Sequence, residues 1–577
     1  MSRCLTATLF FIIWTVVLAG SVSAQEGQQE DGSLLPDIDP QDIEIRTQYQ
    51  ARFPGLRRQP ILGFNPRARV HQVDPNRMPF IESYEETMAQ LPVGEISRPE
   101  APDYNTPLYP PPHNFFGRVG FGSYLSPEAE FILNREISDG HWISGGLNWN
   151  STDGHLDQAS SFRDLDLTTR YRGKVGTATV LGIEAGVRES FNHMFELHPF
   201  LQGEGEAARN SHTGFQGGMR LQQVSNTIEQ WNIGLNGAYN RFELDGRESP
   251  ERSSELSDWR AAVDLNRTWA GERLHETIGG GVDLRAGGYQ LAGDSYNWHL
   301  AGLKGSYEQL IRYQTKINAT LGLYHVSDAV TSSRFYVAPE VRAEHYLADQ
   351  LTVYGSLTGL PDYTDRDAYY RENVFLNPDQ LLEHSFHWKG STGLVLEFFR
   401  GNQIRGDVSY QHSINYPWYA RRLTEEGVPD IGGMDPYEYY DIQFSDANIF
   451  RVSAGLGIDL LPDVLWLDAE GYWQNPELTS GERIPYEEEI GLRGGISVRP
   501  VRQLQFEVWG DFVGPRVSSS GSDLDAFIHA GTRVELRIRD QIGVYSKIEN
   551  LLNQEYEVWR GYTERPLQIY AGVTFNF

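Results

Sequence analysis

The stretch Ile569-Tyr570-Ala571-Gly572-Val573-Thr574-Phe575-Asn576-Phe577 decides the fold. Successive side chains of a strand point to opposite faces. Ile569, Ala571, Val573, Phe575 and Phe577 therefore share an apolar face, and Tyr570, Gly572, Thr574 and Asn576 share a polar or small one. The chain stops on Phe577. That ending suits the last strand of a bacterial outer-membrane barrel, which closes the barrel with one face in lipid. Tyr570, Phe575 and Phe577 are the residues expected to serve barrel closure and to be read by the barrel-assembly machinery.

The start of the chain gives the same address. Met1 to Ala24 holds Arg3, then the apolar run Leu9 to Ala19, then the small residues of Ser21-Val22-Ser23-Ala24. That order predicts a secretory signal peptide over 1–24, cleaved after Ala24. The single cysteine, Cys4, lies inside it. A mature chain without cysteine has no disulfide, no thiol catalysis and no cysteine metal site.

Net charge is -29, with 40% apolar residues, 12% aromatics and 58 glycines. The acidic balance argues against nucleic acid as a partner. No later stretch reads as a transmembrane helix. In a barrel only every second residue faces lipid, so polar average hydropathy is compatible with membrane insertion.

Two regions follow the signal. Residues 25–112 are Pro-rich and lack sustained periodicity, and are expected to form an irregular periplasmic arm or a reduced plug. The arm begins acidic, from Glu26 to Glu44, and turns basic from Arg46 to Arg77. Phe80 to Gln90 suits one short helix, and Pro110-Pro111-Pro112 a stiff spacer. Arg52, Arg57, Arg58, Arg67 and Arg69 are candidates for a segment that folds into the lumen and occludes it. From residue 113 onward, segments of alternating apolar and polar residues are bounded by turn residues. Val534, Leu536 and Ile538 alternate with Arg533, Glu535, Arg537 and Arg539, charges that suit a polar lumen. Short turns are expected near Asp139-Gly140, Gly173-Lys174, Asn226, Ala270-Gly271, Ile311, Asp349, Gly401, Pro462-Asp463, Pro500 and Asp540-Gln541. Longer connections alternate with them, the largest at Pro361 to Gln380 and Tyr416 to Asp446. Short turns on one rim and long loops on the other predict an all-β antiparallel outer-membrane barrel of about 22 strands.

The C-terminal stretch Glu549-Asn550-Leu551-Leu552-Asn553-Gln554-Glu555-Tyr556, then Gly561-Tyr562 and the final strand, resembles the closing hairpin of TonB-dependent outer-membrane receptors. Asn373-Val374-Phe375-Leu376-Asn377-Pro378-Asp379-Gln380-Leu381-Leu382-Glu383 resembles that family's loop leading into a downward strand, and Leu351 to Leu357 the strand before it. The resemblance implies an outer-membrane barrel for solute or nutrient uptake, with a TonB-type energy-coupling protein as partner. The family's plug domain is missing or much reduced in 25–112, and Asp42-Ile43-Glu44-Ile45-Arg46 is the one candidate coupling box. The alternative is a plugless barrel that anchors a periplasmic or surface protein complex.

No residue stands out as catalytic. His384, Ser385 and His387 are the nearest thing to a hydrolase group, but 15 histidines are scattered over the chain. No pattern points to a metal or a cofactor. Aromatic rings among carboxylates suit sugars or cationic ligands. On that ground Trp418, Tyr419, Tyr437, Tyr439, Asp365 and Asp367 are candidate ligand contacts in the outer loops, weighed against a plain solvated loop.

Overall fold

The final strand, Gln568–Asn576, lies between two others in the computed structural model. On one side it pairs antiparallel with Ile542–Glu549, and on the other with the first strand, Phe115–Gly122. Phe577 closes the seam. Its N–H donates to the Phe115 carbonyl at 2.8 Å, and its carbonyl accepts from the Phe115 N–H at 2.9 Å. Their rings lie 6.1 Å apart. The faces divide as the alternation requires. Tyr570 and Thr574 are 1% and 0% exposed, whereas Ile569 and Phe577 are 50% and 51% exposed.

The structure describes residues 114–577, apart from 156–159, 177, 194–208, 225–228, 246–253, 274, 292, 331–332, 400 and 422–438. The expected signal peptide, the arm with Arg52, Arg57, Arg58, Arg67 and Arg69, and the helix at Phe80 to Gln90 lie outside the described residues. Among the described residues, 22 strands form one closed sheet, each antiparallel to its neighbours in sequence order. No described helix is long and apolar enough to cross a membrane. This is the closed antiparallel barrel expected from the sequence, and it spans the membrane because closure satisfies every strand's backbone groups.

Two adjacent rows across the wall show how one sequence serves two solvents. Tyr171, Ile183, Met219, Leu235, Val263 and Leu284 stand side by side in register. They form an outward apolar row, with Ile183 45% exposed. The next row holds Arg172, Gly182, Arg220, Gly234, Asp264 and Asp283, and faces the lumen. Many lumen charges are paired, as in Arg493–Asp511 at 2.8 Å and Lys547–Glu128 at 2.7 Å. Arg533, on the strand whose alternation marked it as a lumen wall, also pairs with Glu507 on the neighbouring strand.

The short turns lie on the rim that carries Phe577, with left-handed residues at Gly140, Gly176, Gly401 and Asp463. Two expected turns are displaced. The strand Phe162–Val175 runs past Gly173, and the turn begins at Gly176, whose φ of 75° a glycine adopts without strain. Pro500 stays inside Ile490–Val501, so that turn falls after it. The expected loop from Tyr416 to Asp446 is corrected more substantially. Strand Asn402–Arg421 continues outward and pairs with Tyr440–Leu461, from Tyr416↔Ser445 to Arg421↔Tyr440. The pairing shifts register after Ser413, where Asn415 takes a φ of 55°. That bulge breaks the alternation, which is why the stretch reads as loop in sequence.

At the seam, glycines in the first strand make room for rings. A Cβ on Gly122 would sit 2.4 Å from the Tyr570 ring. Gly122→Val is therefore expected to weaken closure by roughly 1–3 kcal/mol, the usual cost of overpacking. A fall in the urea midpoint of the folded band on unheated gels would show it, and an unchanged midpoint would refute the seam argument.

Candidate functional site

Connection 363–384 joins strand Leu351–Asp362 to strand Ser385–Phe399 and does not stand out into solvent. It packs across the outer mouth of the barrel as a cap. Its start is a short helix, Arg366–Glu372. Asp365 caps it, its carboxylate accepting from the Ala368 N–H at 3.0 Å. Asp367 pairs with Arg371 at 2.8 Å, one turn on. Arg366, Tyr369 and Tyr370 face inward and are buried.

The cap touches wall strands on several sides. On the strands Arg209–Gln223 and Gln230–Asp245, the Asn210 amide donates to the carbonyls of Val374 and Leu376 at 3.0 and 2.9 Å. His212 lies 3.5 Å from Asp367, and its ring and that of Phe242 pack on Tyr370. Arg260 pairs with Asp365. On the next strands, Tyr363 stacks on Trp298 at 4.1 Å, and the Arg366 guanidinium sits over the Tyr289 ring at 5.2 Å. On the projecting hairpin, the Tyr419 hydroxyl donates to Glu372 at 2.9 Å. Asn377 donates to the Tyr440 carbonyl and to Asp441 at 2.8 and 2.9 Å. On the last outer loop, Phe375 stacks on Tyr562. The cap's end is held by His384, whose imidazole meets the buried Asp328 carboxylate and, at 2.8 Å, the Tyr336 hydroxyl. One continuous apolar cluster joins Phe242, Tyr289, Tyr370, Leu376, Tyr440 and Tyr562.

The cap also holds charge out of water. Arg366 is 1% exposed, and its Nη2 donates to the Gln380 carbonyl at 2.8 Å. Burial pulls its pKa down, and the Asp258 carboxylate opposes that. A buried charge with partial pairing carries a desolvation cost of several kcal/mol. Glu487, on the loop after strand Leu465–Leu478, is the opposite case. Burial and the neighbouring Glu488 push its carboxyl up, while the Tyr416 hydroxyl, donating at 3.2 Å, pulls it down.

The structure brings four of the sequence candidates together. Asp365, Asp367, Tyr419 and Tyr439 all sit in or against the cap, with Tyr439 7% exposed. Trp418 points the other way on its strand. Its indole N–H donates to Ser445 at 3.3 Å, and its ring packs toward Leu478 and Ile484. Tyr437 lies outside the described residues. Asn210, His212, Arg366 and Trp559 belong to the same assembly and carry no sequence signal of it. The hydrolase group does not align as a triad. Ser385 meets His387 at 3.0 Å and that ring meets Ser413 at 2.9 Å, whereas the carboxylate, Asp328, holds the other imidazole, His384.

These features define a closed 22-stranded antiparallel barrel with the fold of the TonB-dependent outer-membrane receptors. Several solved structures share it. A copper transporter, OprC, aligns with a TM-score of 0.61 at 14% identity, over 80% of each chain. The ferric-catecholate import receptor Fiu of K12 E. coli gives 0.61 at 10% identity, over 81% of this chain and 82% of that one. The siderophore receptor PirA of Acinetobacter baumannii gives 0.62 at 11% identity, over 81% of each. No protein-family model and no curated protein matches the sequence.

A carboxyl raised in the packed state favours that state when protonated. Its contribution is full at low pH and is lost as pH rises through the raised value. Lowering the pH from neutral toward the ordinary carboxylate range of about 4.3 is therefore expected to tighten loop 479–489. Hydrogen exchange of that loop should slow on acidification beyond the intrinsic effect of pH, and Glu487→Gln should abolish the extra protection. An identical pH response in the variant would refute the assignment.

Proposed function

We propose that the protein takes up a solute across the outer membrane and that cap 363–384 is its outer gate. The observation that carries this reading is the reach of the cap. From one connection it contacts strands from Arg209–Gln223 round to Tyr440–Leu461, together with the last outer loop. Closing a sheet of this size leaves a lumen wide enough for water. A structure that fills the outer mouth through hydrogen bonds, ring stacking and ion pairs can be released without breaking a strand. The fold shared with a copper transporter, an import receptor and a siderophore receptor supports transport as the class. Asp365, Asp367, Tyr419 and Tyr439 then act first as gate contacts, which a ligand would have to replace. Energy would come from a TonB-type partner, as the resemblance implies. Asp42 to Arg46, the candidate coupling box, lies outside the described residues.

Replacing Thr364–Leu382 by a short Gly-Ser linker tests the gate. Single-channel conductance in planar bilayers is expected to rise several-fold, while the barrel keeps its heat-modifiable migration. An unchanged conductance would sink the gate. Co-purification of a stoichiometric protein with an unchanged conductance would favour the scaffold reading.

A further inference from the structure

The lumen wall between His141 and Asp245 carries a cationic recess at its inner end. It encloses about 860 Å³ and is lined by Arg170, Arg172, Lys174 and Arg220, with Trp142 at its edge. Among the described residues Glu184 is the one acidic side chain in that lining, 3.5 Å from Arg170. Among the described residues, Arg172, Lys174 and Arg220 have no carboxylate in ion-pairing range. Other wall cations are paired, as in Arg493–Asp511, Lys547–Glu128 and Arg405–Glu470.

The register explains how the recess is built. Arg172, Gly182 and Arg220 stand side by side on three neighbouring strands. The two guanidiniums therefore start from backbones two strand spacings apart, on the order of 10 Å. Between them Gly182 has no side chain. A Cβ there would meet nothing closer than the Arg220 carbonyl at 3.8 Å, so the space above the floor is open. A guanidinium presents a planar fork of donors that matches phosphate and carboxylate bidentately. Two forks over an open floor, with Lys174 beside them, make a clamp for an anion with more than one charged group.

The recess is continuous with a second cavity above it. That one holds about 530 Å³ and shares Glu184, Arg220 and Asn236 with the first. It reaches the cap at Tyr363 and Asp365. Its other cations are already partnered, Arg260 by Asp365 and both Lys304 and Arg285 by Asp283. Among the described residues, the wall thus changes from neutralised pairs beneath the cap to Arg172, Lys174 and Arg220 without carboxylate partners at the inner rim.

We propose that the transported solute is a small polyanion, bearing two or more phosphate or carboxylate groups, and that Arg172 and Arg220 hold it over Gly182 near the inner rim. The direction of travel rests on the uptake reading, but binding at the recess does not.

Calorimetric titration of the full chain at low ionic strength tests the site, with pyrophosphate and citrate as probes. One-site saturable binding of at least one probe is expected, weakening as salt is raised. Arg172→Gln and Arg220→Gln are each expected to lower affinity about tenfold or more, the usual effect of losing a charged hydrogen bond. Arg493→Gln, on another part of the wall, should leave it unchanged. Heat-modifiable migration reports whether each variant still folds, and both arginines face the lumen rather than the lipid. Absence of saturable binding to either probe, or equal affinity in the double variant, overturns the proposal. Binding that appears only after deletion of residues 25–44 also overturns it, because the cations would then serve the chain's own acidic stretch. If pyrophosphate binds but gate removal leaves conductance unchanged, the gate falls and the anion site stands. If conductance rises but neither probe binds, only the anion site falls.

Discussion

The whole molecule depends on one pairing, the antiparallel ladder between Phe115–Gly122 and Gln568–Asn576. In lipid every backbone N–H and C=O must be satisfied by the protein, and an open sheet edge leaves a row of them bare. The other neighbouring strands of the barrel are joined by a turn or a loop, so their ends are already close. The first and last strands are not. Their pairing brings together residues more than 400 positions apart, and loop-closure entropy opposes it most. The seam compensates with specific contacts. Phe577 exchanges two backbone hydrogen bonds with Phe115. Tyr545 and Lys547, on the strand before the seam, both reach Glu128, on the strand beyond it. That brace crosses the two closing strands in the lumen, where charges are screened less than on an open surface.

Closure that solves the edge problem creates a hole, and the cap answers it. On the uptake reading proposed above, a rigid lid would seal the mouth but bar the solute. The cap instead mixes buried rings with hydrogen bonds to carbonyls and imidazole–carboxylate pairs, interactions that are individually modest and exchangeable. Its most costly element is Arg366, a cation held at 1% exposure. Its removal from water is compensated in part by the Gln380 carbonyl and the Tyr289 ring. A charge stored in that way favours opening, because water would solvate it in full.

The strand count and the short-turn rim were legible because both depend on local signals. Period-two alternation marks each strand, and Gly or Asp takes left-handed conformations at Gly140, Gly401 and Asp463. The displaced turn at Gly176 shows the limit, since Gly173 looks equally suited in sequence. Residue type singles out Asp365, Asp367, Tyr419 and Tyr439 in two separate loops, and the fold brings them into one assembly. Type alone could not separate Trp418 from Tyr419, which point to opposite faces of one hairpin. The partners across the mouth were not legible. Asn210 reaches Leu376 over 166 residues, and nothing in either segment announces the other.

The net charge of -29 suggests a molecule that repels anions, yet its inner rim is locally cationic. The two statements are compatible because electrostatics in salt is local. Arg172 lies ten residues along its strand from the outer end at Phe162. At about 3.3 Å per residue that is roughly 33 Å of strand, several screening lengths of about 8 Å. Carboxylates on the outer loops therefore contribute little to the potential felt between Arg172 and Arg220. What sets that potential is the few side chains in the same row, where Gly182 separates the two arginines and the first carboxylate, Asp264, comes two strands beyond Arg220 and leans over Gly234. In a barrel the net charge governs how the molecule meets bulk solution, and the register of one strand against the next governs what its lumen can hold.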